Sequence, residues 1–372
     1  MPTTAPKPAP ASSTKDTSIE TLRGLACILV VMAHSPGLAG PTALNYADDP
    51  WKFGLDLLAY LRMPLFTFLS GYVYAIRPIT TGTRPWRFLR AKTRRLMLPM
   101  LVVGTVFMIA IDLMPGWSPG EGIRPWWMWH IVPVAQFWFI WAIFWCFLVV
   151  AYLDYRGWLS RRSWMLTAIV VVYIASSILP KGVSTPFGIL PALYLALFFL
   201  AGIACRRFDW RAAPRKWHLL VLGAFVVIGC ITVALNLAGI WPPVHGWIGN
   251  LVGVLSCMLL LRLRFSFRPL AWLGPHSYPI FLFHFLFIEL WRMVLVALGV
   301  VDVTISILST TAVALAGSLV LERILRSWRI SRLLALGERW TSRASSRAHS
   351  HVTSSPPPLN SPRPHTKRIG DP

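Results

Sequence analysis

The chain is expected to fold as an all-α, polytopic bundle of about ten transmembrane helices with both termini in the cytoplasm. Three observations lead there. Hydrophobic residues make up 55% of its 372 positions and the mean hydropathy is +0.58, far more apolar material than one or two membrane anchors need. Ten apolar stretches are long enough to cross a bilayer. The segments between them alternate between strongly basic and nearly uncharged. The first observation excludes a soluble protein. A formal charge of +22 would suggest nucleic acid in a soluble chain, but here it resides in loops and tails, where topology requires it, and no nucleic-acid partner is expected.

Residues 1–18 are rich in Pro, Thr, Ala and Ser, contain no apolar run, and read as a disordered cytoplasmic arm without a cleavable signal. Span one, 19–38, holds Arg23 and His34 in the run RGLACILVVMAH. Eleven steps of ~100° return the two side chains to within about 20° of one another, separated by ~16 Å along the axis. They share one stripe at two depths. An ionisable group at the centre of a span costs on the order of 2.5–3.5 kcal/mol, so such residues normally face a protein interior or a wet cavity.

Span two, 53–76, carries Arg62 near its centre, where an unpaired guanidinium would be costly, so it should face inward toward a ligand or an acidic partner. Pro64 should bend this helix and free a carbonyl, and Ser70, beside Gly71, could donate a hydrogen bond into the resulting cavity. The segment 77–95 is the most basic of all, with Arg77, Arg84, Arg87, Arg90, Lys92, Arg94 and Arg95. Span three, 96–114, leads to an outer loop holding Trp117, Trp126, Trp127 and Trp129. These indoles form either an interfacial belt, the favoured reading, or a platform for sugars.

Span four, 136–153, opens on Gln136. Spans five to eight, at 164–180, 189–205, 218–240 and 247–262, are separated by basic segments at 154–163, 206–217 and 262–274, while the opposite loops hold Arg124, Lys181 and little else. Span nine, 275–298, contains His284, Glu289 and Arg292. Glu289 and Arg292, three apart, can pair on one face as a structural ion pair or serve a substrate. Span ten covers 304–325, and residues 326–372 read as a basic, mostly disordered cytoplasmic tail. The five cysteines lack metal-ligand spacing and are expected to be small buried residues, with no metal bound.

Six segments then carry a resemblance. RGLACILVVMAH at 23–34, MPLFTFLSGYVYA at 63–75, FLRAKTRRLMLPM at 88–100, FWFIWAIFW at 137–145, YLALFFLAGI at 194–203 and LGPHSYPIFLFHF at 273–285 stand in the order seen in the acyltransferase 3 family, which the chain resembles over 19–325. The family consists of integral membrane O-acyltransferases. The resemblance implies acyl-CoA, usually acetyl-CoA, as cytoplasmic donor substrate, no tightly bound cofactor, and a carbohydrate or glycolipid acceptor, in contact with membrane lipids. The expected location is a bacterial inner (plasma) membrane. The family's two spaced basic positions fall on Lys92 and Arg95, with Arg90 and Arg94 as additional charge for the CoA phosphates. Loop charge that only sets topology is the competing reading. Gln136 stands where many relatives carry a His.

The chemistry so implied needs a base for a hydroxyl, and neutral imidazole suits it, which makes His34 the candidate general base and Arg23 its catalytic companion. A transient acyl-His is the alternative. A transporter or flippase of glycan or lipid precursors would also explain ten spans with buried charge, although no internal repeat is visible. A non-catalytic scaffold would not explain Arg23 and His34 on one stripe.

Overall fold

A computed structural model describes residues 16–37, 42–80, 82, 84–113, 125–180 and 185–339, and every element among them is helical. In chain order these are α1 (Thr17–His34), α2 (Pro50–Tyr74), α3 (Pro85–Lys92), a π-helical turn at Thr93–Met97 leading into α4 (Leu98–Asp112), α5 (Phe137–Tyr155), α6 (Arg162–Ile178), α7 (Ile189–Arg207), α8 (Arg215–Leu237), α9 (Trp247–Leu263), the short α10 (Arg268–Leu273) leading into α11 (Ser277–Ala297), α12 (Val303–Ser327) and α13 (Arg329–Leu334). Eight helical stretches are long and apolar enough to cross a membrane, and α6 and α9 are shorter apolar helices of 17 residues each. Seventeen residues is the lower limit for a span. The ten apolar stretches read from the sequence thus correspond one to one with helices.

Two contacts bear on how those helices alternate. At one end of α1, Arg23 Nη2 donates to Ser277 Oγ at 3.1 Å. At the other end His34 meets His284, so α1 and α11 run side by side in the same direction. Removing either α6 or α9 alone from the set of crossings would reverse one relative to the other. Reporter fusions after residues 45, 120 and 244 should accordingly score extracytoplasmic, and fusions after 85, 158, 211, 268 and 345 cytoplasmic. Two reversed assignments would overturn the ten-span arrangement.

Helices close on one another where small residues permit it. A Cβ at Gly71 would collide with the Phe199 carbonyl, and one at Gly202 with that of Phe68, so α2 and α7 cross at backbone contact. Gly24 admits the Leu270 carbonyl in the same way, seating α10 against α1. Around these crossings lies an aromatic and aliphatic core that includes Phe68, Phe198, Phe199, Leu195, Ile140 and Phe285. Helix α8 and the outer face of α6 instead present Val170, Val171, Leu220, Val226 and Val227 outward, as lipid-facing helices do.

Both ends of the bundle are more ordered than expected. Helix α1 begins at Thr17, inside the span assigned to a disordered arm, because the Asp16 side chain accepts from Ser18 N and caps it. Arg211 reaches the same carboxylate and also Ser18 Oγ. Burial opposes ionisation of Asp16, yet these hydrogen bonds and the Arg211 charge hold its carboxyl below the usual range. At the other end, order extends beyond 325: Glu322 binds His276 and Arg326, while Glu338 binds Arg326 and Arg332. Residues 1–15, Trp117, Arg124, Lys181 and the tail from 340 lie outside the described residues. Trp126 and Trp127 are exposed and Trp129 packs on the core.

Candidate active site

The two histidines form the centre of the site. His284, on α11, is completely buried, and its Nδ1 lies 2.8 Å from the Phe281 carbonyl and 3.2 Å from that of Ile280. Carbonyl oxygens only accept, so Nδ1 carries the hydrogen and Nε2 of the neutral ring is an acceptor. His34 Nδ1 stands 3.3 Å from that Nε2 and must therefore donate to it. By this relay the backbone of α11 fixes the tautomer of His34 and leaves the lone pair on its Nε2. Phe285 packs on both rings at 4.7 Å, holding them in place.

The segment following His34 is fastened to α11 as well. Thr42 Oγ1 donates to Glu289 Oε2 at 2.9 Å, and Arg292 Nε donates to the Thr42 carbonyl at 2.8 Å. Glu289 and Arg292 act on each other electrostatically, and their described hydrogen bonds converge on Thr42. Their place is explained by the turn they hold. Arg62, half-buried on α2, carries a positive charge that is felt at His34.

Arg23 lies at the opposite end of α1, paired with Glu20 at 3.2 Å and bonded to Ser277. Both Arg23 and His34 thus face α11, in keeping with the shared stripe, but they do not form one cluster. Ser70 differs from expectation: its hydroxyl donates to the Phe66 carbonyl one turn back in its own helix, which satisfies it locally. Gln136 Nε2 reaches the Leu282 carbonyl at 3.3 Å, joining α5 to α11 two residues before His284, while its buried Oε1 has no partner among the described residues.

The basic residues before α4 separate into different settings. Arg90 and Arg95 are exposed. Lys92 points inward, its Nζ 3.2 Å from the centroid of Phe147 and 5.5 Å from that of Phe88. Arg94 Nε donates to the Gly337 carbonyl, tying the segment after α13 to the π-helical turn, so this guanidinium has a structural tie in addition to its charge. A cavity of about 590 Å³ between α4, α11, α12 and α13 is lined by apolar side chains such as Val103, Phe107, Leu282 and Leu325. It contains none of the candidate residues.

Sequence reasoning passed over two groups. Asp154 receives both ends of the Arg207 guanidinium, at 2.8 and 2.5 Å, and the Tyr74 hydroxyl at 2.9 Å. Its partner was hidden in a loop whose basic residues were read as topology signals. Tyr194 opens YLALFFLAGI, a segment noted for its family resemblance rather than for its one hydroxyl. Among the described residues, no group of three His, Cys, Asp or Glu side chains could hold a metal ion.

Comparison with curated proteins and with solved structures finds no match. A family model described as an acyltransferase domain matches residues 16–323. That range starts at the Asp16 cap, ends within α12, and contains the histidine pair with the helices that hold it, so the chain belongs to the acyltransferase 3 family.

Proposed function

We propose that this membrane acyltransferase moves an acyl group, acetyl in the simplest case, from cytoplasmic acyl-CoA to a hydroxyl of a glycan or glycolipid at the outer side of an inner (plasma) membrane. The observation that carries this reading is the relay from the Phe281 carbonyl through His284 to His34. It orients a neutral imidazole as a base within a membrane bundle, a provision that a transporter or a scaffold would not need.

In this scheme the acceptor hydroxyl gives its proton to His34 Nε2 as its oxygen attacks the thioester carbonyl. The tetrahedral oxyanion gains from the positive charge of Arg62 in a water-poor site. Collapse breaks the C–S bond, and the imidazolium returns its proton to the departing sulfur, leaving free CoA and an ester. His284 accepts from His34 Nδ1 throughout and stabilises the charge on the ring. Arg23, by holding α1 to the start of α11, keeps the two histidines in register and adds positive charge on the donor side. Arg90, Lys92 and Arg95 supply the charge for the CoA phosphates, with Arg94 contributing while it anchors the segment after α13.

The test uses washed membranes containing the full chain and acetyl-CoA labelled in the acetyl group. Label should enter membrane glycan or lipid only with the protein present. Replacing Lys92 and Arg95 together with Gln should raise the KM for acetyl-CoA about tenfold or more, with a smaller effect on acceptor dependence, because phosphate contacts lie away from the reacting carbon. No protein-dependent labelling would refute acyl transfer. An unchanged donor KM at normal protein levels would return the two residues to a purely topological role.

A further inference from the structure

Beyond Arg62 the structure holds a second group of polar side chains that the transfer scheme does not use. Tyr194, on α7, is 4% exposed, and its hydroxyl has no partner among the described residues. Buried hydroxyls nearly always have one, so an orphan beside other polar groups marks a place where a ligand or water is held. The Tyr194 ring lies against that of His245, tilted by 37° with centroids 3.9 Å apart. The charge of Arg62 acts on Tyr194, on Asp56 and on Tyr46 as well as on His34. Arg62 is thus a cation whose charge is felt by both His34 and this cluster.

The segment that carries His245 is fastened over α2 by the Tyr60 hydroxyl, which donates to the Pro242 carbonyl at 2.5 Å. It also carries Trp241, which is 42% exposed, meets Phe53 edge-on at 5.9 Å and lies under Lys52 at 5.6 Å. Lys52 in turn pairs with Asp56. Residue 244 falls in a loop expected on the outer side, opposite the basic segments. The chemistry at this mouth is mixed: aromatic faces, a phenol, an imidazole, one carboxylate and two cations, one of them already paired. Such a set fits a neutral ring whose C–H faces lie on aromatic side chains while its hydroxyls meet donors and acceptors. A polyanion would find too few free cations.

We propose that Tyr194, His245, Asp56 and Arg62, with Trp241 at the rim, form the acceptor subsite, and that it takes a neutral sugar ring and directs one hydroxyl past Arg62 toward His34. The proposal rests on the acyl-transfer reading for its direction, but the binding itself can be tested apart from turnover.

The experiment uses the full chain in lipid nanodiscs, with methyl glycosides of glucose, galactose and mannose as neutral probes and glucuronate as the anionic comparison. At least one neutral probe should raise Tm and should increase acetyl-CoA consumption above the background reaction with water. Tyr194→Phe removes only an oxygen and keeps the ring against His245. In that variant the Tm rise should vanish and the probe KM should increase tenfold or more, while the KM for acetyl-CoA stays within twofold. Should that variant fold poorly, His245→Gln gives the same comparison from the other side of this contact. Probe binding that survives both substitutions, tighter binding of glucuronate, or no response to any neutral probe would overturn the proposal. A Tm response that Tyr194→Phe abolishes, in a protein that consumes no acetyl-CoA, would support the subsite and refute acyl transfer.

Discussion

His34→Ala should leave the protein inserted and monodisperse in detergent while acyl transfer falls by about 10²-fold or more, the usual loss when a positioned base is removed. One imidazole at the end of α1, part-buried, contributes little to the packing of so large a bundle. His284→Ala should reach part of the same deficit by another route. Without Nε2 to accept from His34 Nδ1, the ring keeps, among the described residues, only its hydrogen bond to the Val30 backbone, so a larger share adopts the other tautomer and presents a hydrogen where the lone pair is needed. His284→Gln should recover some activity, since an amide oxygen can take the place of that acceptor, and a purely structural role for His284 would show no such rescue. Near-normal transfer by a well-folded His34→Ala protein would falsify the assignment of the base, and His284 would become the next residue to test.

How much of this was legible beforehand differs from feature to feature for physical reasons. Spans were readable because membrane insertion imposes a length and an apolar composition on each helix separately. Arg23 and His34 were readable as sharing a stripe because eleven residues is close to three full turns, and both do face α11. Their separate partners were not readable, since Ser277 and His284 reach them from α11, some 250 positions away in the chain. Glu289 and Arg292 were recognised as a local pair, yet their described bonds go to Thr42, in the turn after α1. Ser70 was expected to serve a cavity and instead satisfies its own helix, a local option that spacing alone does not exclude. Tyr194 was invisible in a different sense: what distinguishes it is a buried hydroxyl with no partner among the described residues, which spacing does not show.

Asp154→Ala should be among the most destabilising single substitutions in the protein. The carboxylate is 4% exposed and its Arg207 partner 17%, and removing one member of such a pair leaves the other charge uncompensated, at a cost of about 3–5 kcal/mol. Among the described residues Arg207 would keep only the Leu159 carbonyl, and the Tyr74 hydroxyl would lose its acceptor. The effect should appear first as a lower Tm in detergent. It should then appear in donor binding, because Tyr74 packs edge-on against Phe88 and Phe147, the two rings beneath the Lys92 ammonium. Once Tyr74 is loosened, the cradle of Lys92 loosens too, and the KM for acetyl-CoA should rise in whatever protein still folds. Asp154→Leu combined with Arg207→Met should recover much of the Tm, since replacing both charges with apolar groups removes the uncompensated one. A single Asp154→Ala protein with unchanged Tm and unchanged donor KM would show that the pair neither secures α5 to α7 nor shapes the donor end of the bundle.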